Sequence, residues 1–270
     1  MQKIINIQAT TLPDSWFQLI YNILKYGKDF RIDQGSFEGC RRKEFDFIVS
    51  HIHRPWERNN DGMPLIPEIP DHMNIPDPVE KDYLVDYVPY LLGSEVKEGE
   101  SYTYGQRINK EPISRNISDG VASKWNIYRK YVGSPVLESI VFDSDKFLSQ
   151  VDLAIEVYKK YPRTNQMCIQ VAKPTDMLLL DPPCLRHIDT RIQDGKLHFY
   201  PYFRSWDLWS GYPANLAAIS ILQEHMASEI GVEQGEMICT SKGLHLYDYS
   251  VSFAEMRCMV NKNHCIEGVM

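Results

Sequence analysis

The chain has 270 residues, a formal net charge of −7 and 43% apolar residues. This length and composition predict a globular protein with a substantial core. The acidic balance, and basic runs no longer than Arg41-Arg42-Lys43, argue against a nucleic-acid-binding protein. No apolar run is long enough to span a membrane and the first residues lack a leader pattern. We therefore expect a cytoplasmic chain with no membrane partner.

The cysteines show no pattern typical of a disulfide framework or a metal site, because none forms a C-x-x-C pair or clusters with histidines. We expect reduced thiols and no bound metal. The six residues are Cys40, Cys168, Cys184, Cys239, Cys258 and Cys265.

Two elements are predicted near the N terminus. Asp14 is positioned to cap a helix that runs to about Tyr26, with apolar residues along one side and Gly27 as its stop. A β-rich stretch from about Ser36 to Ile52 follows it.

A proline-rich excursion follows at about residues 55–78, where six prolines flank the turn sequence Asn59-Asn60-Asp61-Gly62. Proline at this density is incompatible with a regular helix or a central strand. The segment is therefore either an ordered lid near a site or a surface insertion without function.

The rest of the chain alternates predicted helices and strands. Apolar residues recur at helical spacing over 146–161, and a long apolar helix begins near Pro213 and stops at Gly231. This alternation predicts an α+β protein. The remaining predicted helices cover 79–92 and 117–132, and the predicted strands cover 167–172, 177–180, 197–204, 236–240 and 245–249.

The most informative feature is a series of motifs in the last third of the chain. Arg204 lies 20 residues after Cys184, Asn215 lies 31 after it and His245 lies 61 after it. A nucleophile, an anion-binding arginine, an amide and a His/Tyr pair make one usable site, although each alone is a common structural residue. The motifs are Pro182-Pro183-Cys184, Phe203-Arg204-Ser205-Trp206-Asp207, Tyr212-Pro213-Ala214-Asn215 and Gly243-Leu244-His245-Leu246-Tyr247.

These motifs and intervals resemble the catalytic half of the thymidylate synthase family, in particular its archaeal-type branch. The likeness is dense over residues 160–256 and includes a hairpin turn expected at Asp194-Gly195. It implies a three-layer α+β fold with a large mixed sheet, helices on one face and a dimer interface on the other. It also implies a homodimer, with residues 1–270 forming a single domain in each chain.

The resemblance implies covalent catalysis. Cys184 is the expected nucleophile, which adds to C6 of a pyrimidine and thereby activates C5 toward the methylene of a reduced folate. Tyr104 matches a family tyrosine near the proton transfers at C5. The implied carbon donor is 5,10-methylene-tetrahydrofolate or a methylene-tetrahydromethanopterin-type pterin, with no metal. Asp86 and Glu44 are both candidates for the carboxylate that relays protons through water.

The implied substrate is a pyrimidine nucleoside monophosphate. Arg204 and Ser205 match positions that hold the phosphate. His245 and Tyr247 alternate on a predicted strand, so they face the same way, and they match the pair that holds the sugar 3′-hydroxyl. Asn215 matches the residue that reads the base edge.

An asparagine at position 215 favours uracil, since family relatives that act on cytosine often carry aspartate there. If the Asn215 carboxamide were flipped, its donor and acceptor would exchange places and would suit cytosine. The groups that hydrogen-bond to the amide therefore decide between uracil and cytosine. Asp207 matches the acid that hydrogen-bonds the pterin.

The chain departs from the family pattern at two places. Leu185 follows the nucleophile where many members have histidine. Arg163 stands alone where many members have two arginines that reach the partner's phosphate site. Candidates to replace the second arginine are Arg41, Arg42, Arg186 and Arg191.

Three functions remain open on these grounds. The first is a thymidylate synthase that converts dUMP to dTMP. The second is a 5-hydroxymethylase acting on dUMP, dCMP or CMP, in which water instead of hydride captures the same exocyclic methylene. The third is a non-catalytic nucleotide-binding homologue, which the thiol of Cys184 disfavours because binding alone does not need it.

Overall fold

The protein is described by a computed structural model that covers residues 1–33, 37–112 and 147–260. The helix predicted over 117–132 lies outside the described residues, as do Cys265 and the start of the predicted β-rich stretch at Ser36. The five cysteines that are described are free thiols, as expected.

A six-stranded mixed sheet forms the centre of the fold. Neighbours β1 and β4, and β9 and β11, run parallel, and the other three neighbouring pairs run antiparallel. In order across the sheet, with numbering along the chain, the strands are β1 (Ile4–Ala9), β4 (Phe47–Ile52), β11 (Glu233–Ser241), β9 (Lys196–Phe203), β8 (Leu185–Gln193) and β7 (Cys168–Gln170).

Two smaller sheets lie beside it. The four-stranded sheet has the order β10 (Trp206–Asp207), β12 (Leu244–Tyr247), β3 (Arg41–Glu44) and β2 (Lys28–Arg31). The two-stranded sheet pairs β5 (Glu111–Pro112) with β6 (Phe147–Leu148).

Six α-helices occur in the described residues, together with 3-10 turns at Asp71–Met73 and Pro174–Leu178. They are α1 (Leu12–Tyr26), α2 (Lys81–Leu92), α3 (Tyr104–Asn109), α4 (Gln150–Lys160), α5 (Gly211–Ile230) and α6 (Asp248–Arg257). The α+β class predicted from the sequence is confirmed.

The long apolar helix α5 is confirmed as the central helix. Pro213 lies in its first turn, and Gly231 ends it with a left-handed backbone at φ 84°. Most of its side chains are buried, because it packs between the sheet and the other helices. Its N terminus carries Asn215 toward the candidate site.

The helices cover one face of the large sheet. Along β4, β9 and β11 buried residues alternate with half-exposed ones, and the buried set meets α1 and α5. The opposite face carries half-exposed side chains, among them Tyr200, Tyr202 and Ile238. No helix within the described ranges combines the length and hydropathy needed to cross a membrane.

Three local predictions need correction. The cap of α1 is Thr11, not Asp14: the Thr11 side chain accepts a hydrogen bond from the Asp14 N–H at 3.4 Å, while the Asp14 carboxylate accepts one from the Thr10 N–H at 2.7 Å. The strand predicted to reach residue 249 ends at Tyr247, and α6 begins at Asp248.

The third correction concerns the strand predicted at 177–180, where the chain instead forms the 3-10 turn Pro174–Leu178. Asp176 fixes this turn, since its carboxylate accepts a hydrogen bond from the Lys173 N–H at 2.7 Å. Three of the apolar side chains that suggested a strand are exposed by more than 80%: Met177, Leu178 and Leu180.

The proline-rich segment contains no α-helix or sheet strand, as predicted, and it is tied to α5. Arg58 donates hydrogen bonds to Ser220 at 3.2 Å and to Glu224 at 2.7 Å. The end of the segment, Pro76–Pro78, lines a large cavity described below. Its proximity to that cavity is compatible with the lid interpretation, which stays a prediction.

Candidate active site

The thiol expected to be the nucleophile lies beside the tyrosine expected to assist it. Cys184 occupies the bend that leads into β8, and Tyr104 is the first residue of α3. The Tyr104 hydroxyl accepts hydrogen bonds from the backbone N–H groups of Cys184 at 3.2 Å and Leu185 at 3.3 Å. Two residues 80 positions apart in the chain therefore meet at one point.

Burial raises the pKa of the Cys184 thiol above its ordinary value, and Asp181 raises it further. The cations Arg204 and Arg186 act in the opposite direction, as does a hydrogen bond from Tyr104, but burial is the largest influence. Burial also raises the pKa of Tyr104 well above its ordinary value. Both groups are therefore protonated at neutral pH in the structure described.

Arg204 holds the segment that precedes the thiol. Its guanidinium pairs with Asp181 at 3.0 Å, and its Nε donates to the carbonyl oxygens of Pro182 at 3.2 Å and Pro183 at 3.3 Å. The adjacent Ser205 is half-buried. Arg204 is predicted to bind phosphate, and in this structure its donors also organise the segment that precedes the nucleophile.

A basic cleft lies on the Arg204 side of the thiol. Arg186, Arg204 and Lys242 line a cavity of about 220 Å³. Three cations around one small cavity suit a phosphate group. Arg186 is therefore well placed among the arginines proposed to replace a missing family arginine.

A large cavity of about 550 Å³ lies at the N-terminal end of α5. This volume is within the usual range for a small-molecule site. Its lining combines aromatic rings with a few polar groups, as expected for a site that binds a flat ligand. The lining includes Tyr83, Tyr87, Asp207, Trp209, Asn215 and Tyr249.

The Asn215 side chain has a defined orientation. The Trp206 indole N–H donates to its Oδ1 at 2.8 Å, and its Nδ2 donates to the Tyr87 hydroxyl. Because an indole N–H can only donate, the oxygen of the carboxamide must face Trp206. The flip that would reverse the hydrogen-bonding pattern of Asn215 is therefore opposed.

Asp207 accepts three hydrogen bonds from backbone N–H groups at the start of α5: Trp209 at 3.1 Å, Ser210 at 3.2 Å and Gly211 at 3.2 Å. Burial raises the pKa of this carboxyl, and these three donors oppose the rise. Asp207 thus stabilises the helix terminus while facing the large cavity.

His245 and Tyr247 lie on β12 with their ring centroids 4.6 Å apart. His245 Nδ1 is 2.9 Å from the Gly243 carbonyl, which can only accept, so Nδ1 carries the proton. Burial lowers the pKa of His245 to about 4, so the ring is neutral. Its buried Nε2 is an acceptor without a partner among the described residues.

The remaining predicted positions are not all part of this arrangement. Arg163 lies exposed in the turn after α4, and within the described ranges it is not among the residues in contact with Cys184, Arg204 or Asn215. Asp86 is exposed on α2, and Glu44 pairs with Arg42 at 2.7 Å.

Tyr87 and the hydrogen bond of the Trp206 indole were not predicted from the sequence. Tyr87 faces the cavity one position after Asp86, the relay candidate. The signal that points to it is the spacing of Tyr83, Tyr87 and Tyr90, which places three stacked rings along one side of α2.

Comparisons with known proteins bear on the identity of this site. The family model described as thymidylate synthase matches residues 99–265, which is more than half of the chain. The chain belongs to the thymidylate synthase family. Members of this family transfer a one-carbon unit to a pyrimidine nucleotide, using a folate-type donor.

Curated relatives of this thymidylate synthase family member include archaeal proteins named "Putative thymidylate synthase". The Methanosarcina barkeri protein is 26% identical over 92% of each chain. The protein from Methanothermobacter marburgensis is 24% identical, over 93% of this chain and 96% of that protein.

Among solved structures, thermostable thymidylate synthase A from Bacillus subtilis has the same fold. Its TM-score is 0.62 and it shares 16% sequence identity, with 93% of this chain and 84% of that chain covered. The predicted fold family is thereby confirmed.

Proposed function

We propose that this family member is a thymidylate synthase that converts dUMP to dTMP, with Cys184 as the nucleophile. The observation that carries the proposal is the fixed Asn215 carboxamide, which lies at the edge of the cavity and bonds Tyr87, a residue whose pKa is raised by burial and in part by nearby Cys184. The chain supplies a thiol, a phosphate-binding cleft and a base-reading amide on one scaffold.

In this proposal the Cys184 thiolate adds to C6 of the pyrimidine, and C5 becomes a carbon nucleophile. The proton that leaves C5 later passes to a base reached through Tyr104 and water. Arg204 and Arg186 stabilise the thiolate when the thiol loses its proton. Elimination of the thiolate from C6 at the end restores the free enzyme.

Asn215 favours uracil over cytosine in its observed orientation. Its Oδ1 can accept the N3–H of uracil while its Nδ2 donates to O4. Cytosine offers the reverse pattern, an acceptor at N3 and a donor at N4, so it would require the amide to flip. Trp206 opposes that flip, which makes it a positioning residue for base choice.

The sugar and phosphate have matching partners. The unpaired Nε2 of neutral His245 can accept a hydrogen bond from a 3′-hydroxyl, and Tyr247 lies against the same ring. Arg204, Ser205 and Arg186 are proposed to hold the phosphate in the basic cleft.

The aromatic cavity fits a reduced pterin. Asp207 has oxygen lone pairs left to accept from a pterin ring, and Trp209 and Tyr249 offer flat apolar surfaces. The bound donor, 5,10-methylene-tetrahydrofolate or a methylene-tetrahydromethanopterin-type pterin, supplies the carbon and the hydride. The end of the proline-rich segment, Pro76–Pro78, is proposed to exclude water from this cavity.

The face of the large sheet away from the helices is proposed to form a homodimer. Tyr200, Tyr202 and Ile238 are half-exposed on it, and a second copy would cover them. Arg163 is proposed to contribute to the partner's phosphate site.

The test is product analysis with dUMP, dCMP and CMP in turn, each with a methylene donor and with Cys184→Ser as the inactive control. We expect dTMP from dUMP, little turnover of dCMP and CMP, and a loss of several orders of magnitude in the variant. Hydroxymethyl products would assign the chain to the hydroxymethylases instead. Nucleotide binding without product or covalent adduct would indicate a non-catalytic homologue.

A further inference from the structure

A cluster of two histidines and a glutamate lies outside the candidate active site, on the face of the sheet away from the helices. His51 Nε2 is 2.7 Å from one carboxylate oxygen of Glu236, and His53 Nδ1 is 3.1 Å from the other. The two imidazole centroids are 4.2 Å apart. The three side chains therefore converge on one point of the surface.

Strand geometry explains the convergence. Residues two apart in extended chain point to the same face, so His51 on β4 and His53, one residue beyond its end, project together. In the antiparallel β4–β11 pair, Ile52 lies opposite Met237 and His51 opposite Ile238. This register brings Glu236 beside both histidines, although it is 183 residues from His53 in the chain.

Hydrogen bonds of the backbone fix the chain that carries His53 and Glu236. The His53 N–H donates to the Ala9 carbonyl at 2.9 Å, which keeps the end of β4 on the sheet. The Glu236 N–H donates to Nδ1 of His198 at 3.1 Å. His51 and Glu236 thus lie on strands of the sheet, and His53, one residue beyond β4, is held to the sheet by its backbone N–H.

The ligand atoms match a specific class of ion. One nitrogen from each histidine and one carboxylate oxygen all lie within 4.8 Å of one another, and this is the one group of three such residues found in the described part of the chain. Imidazole and carboxylate donors suit Zn²⁺ and other divalent first-row transition metals, whereas Mg²⁺ and Ca²⁺ prefer oxygen alone.

We propose that His51, His53 and Glu236 form a binding site for one divalent transition-metal ion of the Zn²⁺ type. Three protein ligands leave a fourth position for water or another group. The site is separate from Cys184, whose proposed chemistry needs no metal, so the inference does not rest on the proposed reaction.

The ion has a route to the site in a single chain, because the side chains of His51, His53 and Glu236 are exposed by 20%, 43% and 37%. This face is also the one that a second copy of the chain would cover in the proposed dimer. For this reason the metal content is expressed per chain and is measured together with the oligomeric state.

The experiment is equilibrium dialysis of chelator-treated protein against ZnCl₂, with His53→Gln and Glu236→Gln as test variants. His225→Gln is the matched control, since it removes an exposed histidine from α5. We expect one ion per chain in the wild type and in the control, and binding weakened at least about tenfold in both test variants. Circular dichroism checks that each variant is folded.

Thiols could also bind Zn²⁺, so Co²⁺ is used as a second probe. Nitrogen and oxygen ligands give no thiolate charge-transfer band, and we expect none from the wild-type protein. The proposal is overturned if the wild type binds no ion at 100-fold molar excess of ZnCl₂, if both test variants bind as tightly as the control, or if the Co²⁺ spectrum shows thiolate ligation. Should one test variant fail to fold, the other decides.

Discussion

At the scale of single residues, the thiol of Cys184 is expected to react slowly at neutral pH. Burial raises its pKa, so at pH 7 only a small fraction is thiolate, and this fraction rises about tenfold per pH unit below the pKa. The rate of Cys184 alkylation by iodoacetamide should therefore rise about tenfold from pH 7 to pH 8. Peptide mass spectrometry measures the rate at this site alone.

The matched variant for this measurement is Arg204→Gln, which removes the principal cation that lowers the thiol pKa. We expect slower alkylation of Cys184 at each pH between 7 and 8. A rate independent of pH, or one faster in the variant, would show that the thiol is already a thiolate and that burial does not dominate its pKa.

Base choice is also decided at this scale. Asn215→Asp should lower turnover of dUMP and shift preference toward dCMP, because a carboxylate repels uracil O4 and a carboxyl group accepts from the cytosine amine.

Trp206→Phe keeps the ring stacked on Phe203 but removes the indole N–H, so the uracil-to-cytosine ratio of kcat/KM should fall by roughly tenfold. Unchanged ratios in both variants would place Asn215 away from the base.

At the scale of elements, one buried ion pair joins the two segments that carry Tyr104 and Cys184. Arg107 of α3 bonds Asp176 of the 3-10 turn at 2.6 Å, and their side chains are only 6% and 2% exposed. Arg107 also donates to the Val171 carbonyl at 2.8 Å. The pair therefore holds α3 against the chain that leads into the nucleophile.

Asp176→Asn should reduce the free energy of unfolding by about 3 kcal/mol, because it leaves the Arg107 charge buried without its counter-charge. Urea denaturation measures the loss. The exposed pair Lys159–Glu156 supplies the control, and Glu156→Gln should cost less than about 0.5 kcal/mol. Equal costs for the two variants would contradict a special role for the buried pair.

The same pair gives a pH dependence with a definite sign. Burial raises the pKa of Asp176, but the hydrogen bonds from Arg107 and Lys173 outweigh it and hold the pKa below its ordinary value. A carboxyl with a lowered pKa stabilises the fold above its unfolded-state pKa and loses that contribution as pH falls through the folded-state value. The difference between wild type and Asp176→Asn should therefore shrink below about pH 4.

The elements also show where sequence reasoning succeeds. Helix α5 was predictable because Pro213, Gly231 and the apolar residues between them are local signals. The segment around Met177 and Leu178 was not, because four consecutive apolar residues suggest a strand while the turn is set by Asp176 and its distant partner Arg107. A hydrogen bond across 69 residues overrides the local pattern.

The sequence likewise predicted some residues of the candidate site, namely those in the motifs, but not their partners from distant parts of the chain. The resemblance carried by the motifs and their intervals pointed to Cys184, Arg204, Asn215 and His245, and in the structure the Arg204 N–H donates to the Cys184 carbonyl at 2.8 Å. The partner of the amide, Tyr87, lies 128 residues from Asn215, and no local pattern joins them. The His51–His53–Glu236 cluster depends on strand register, which motif reading does not supply.

At the scale of the whole molecule, the proposed dimer predicts complementation between two inactive variants. If Arg163 serves the neighbouring site, a mixed dimer of Cys184→Ser and Arg163→Ala has one site with both wild-type residues. Equal mixing should restore about a quarter of the wild-type activity, since half of the dimers are mixed and each has one intact site of two. Activity is measured after confirmed subunit exchange.

Each variant kept alone is the control for that experiment and should stay near its own low activity. Absence of rescue after exchange, or a monomer at micromolar concentration, would contradict shared sites. Full activity of Arg163→Ala alone would remove Arg163 from phosphate binding.

The aromatic residues around the large cavity have an optical consequence. Trp209 lines the cavity and lies 5.3 Å from Trp16, while Trp206 stacks on Phe203 at 3.8 Å and bonds Asn215. Indole emission is sensitive to a change in ring stacking or in the hydrogen bond of the indole N–H. The protein therefore contains its own fluorescent reporter, with which nucleotide and pterin titrations can be followed on unlabelled material.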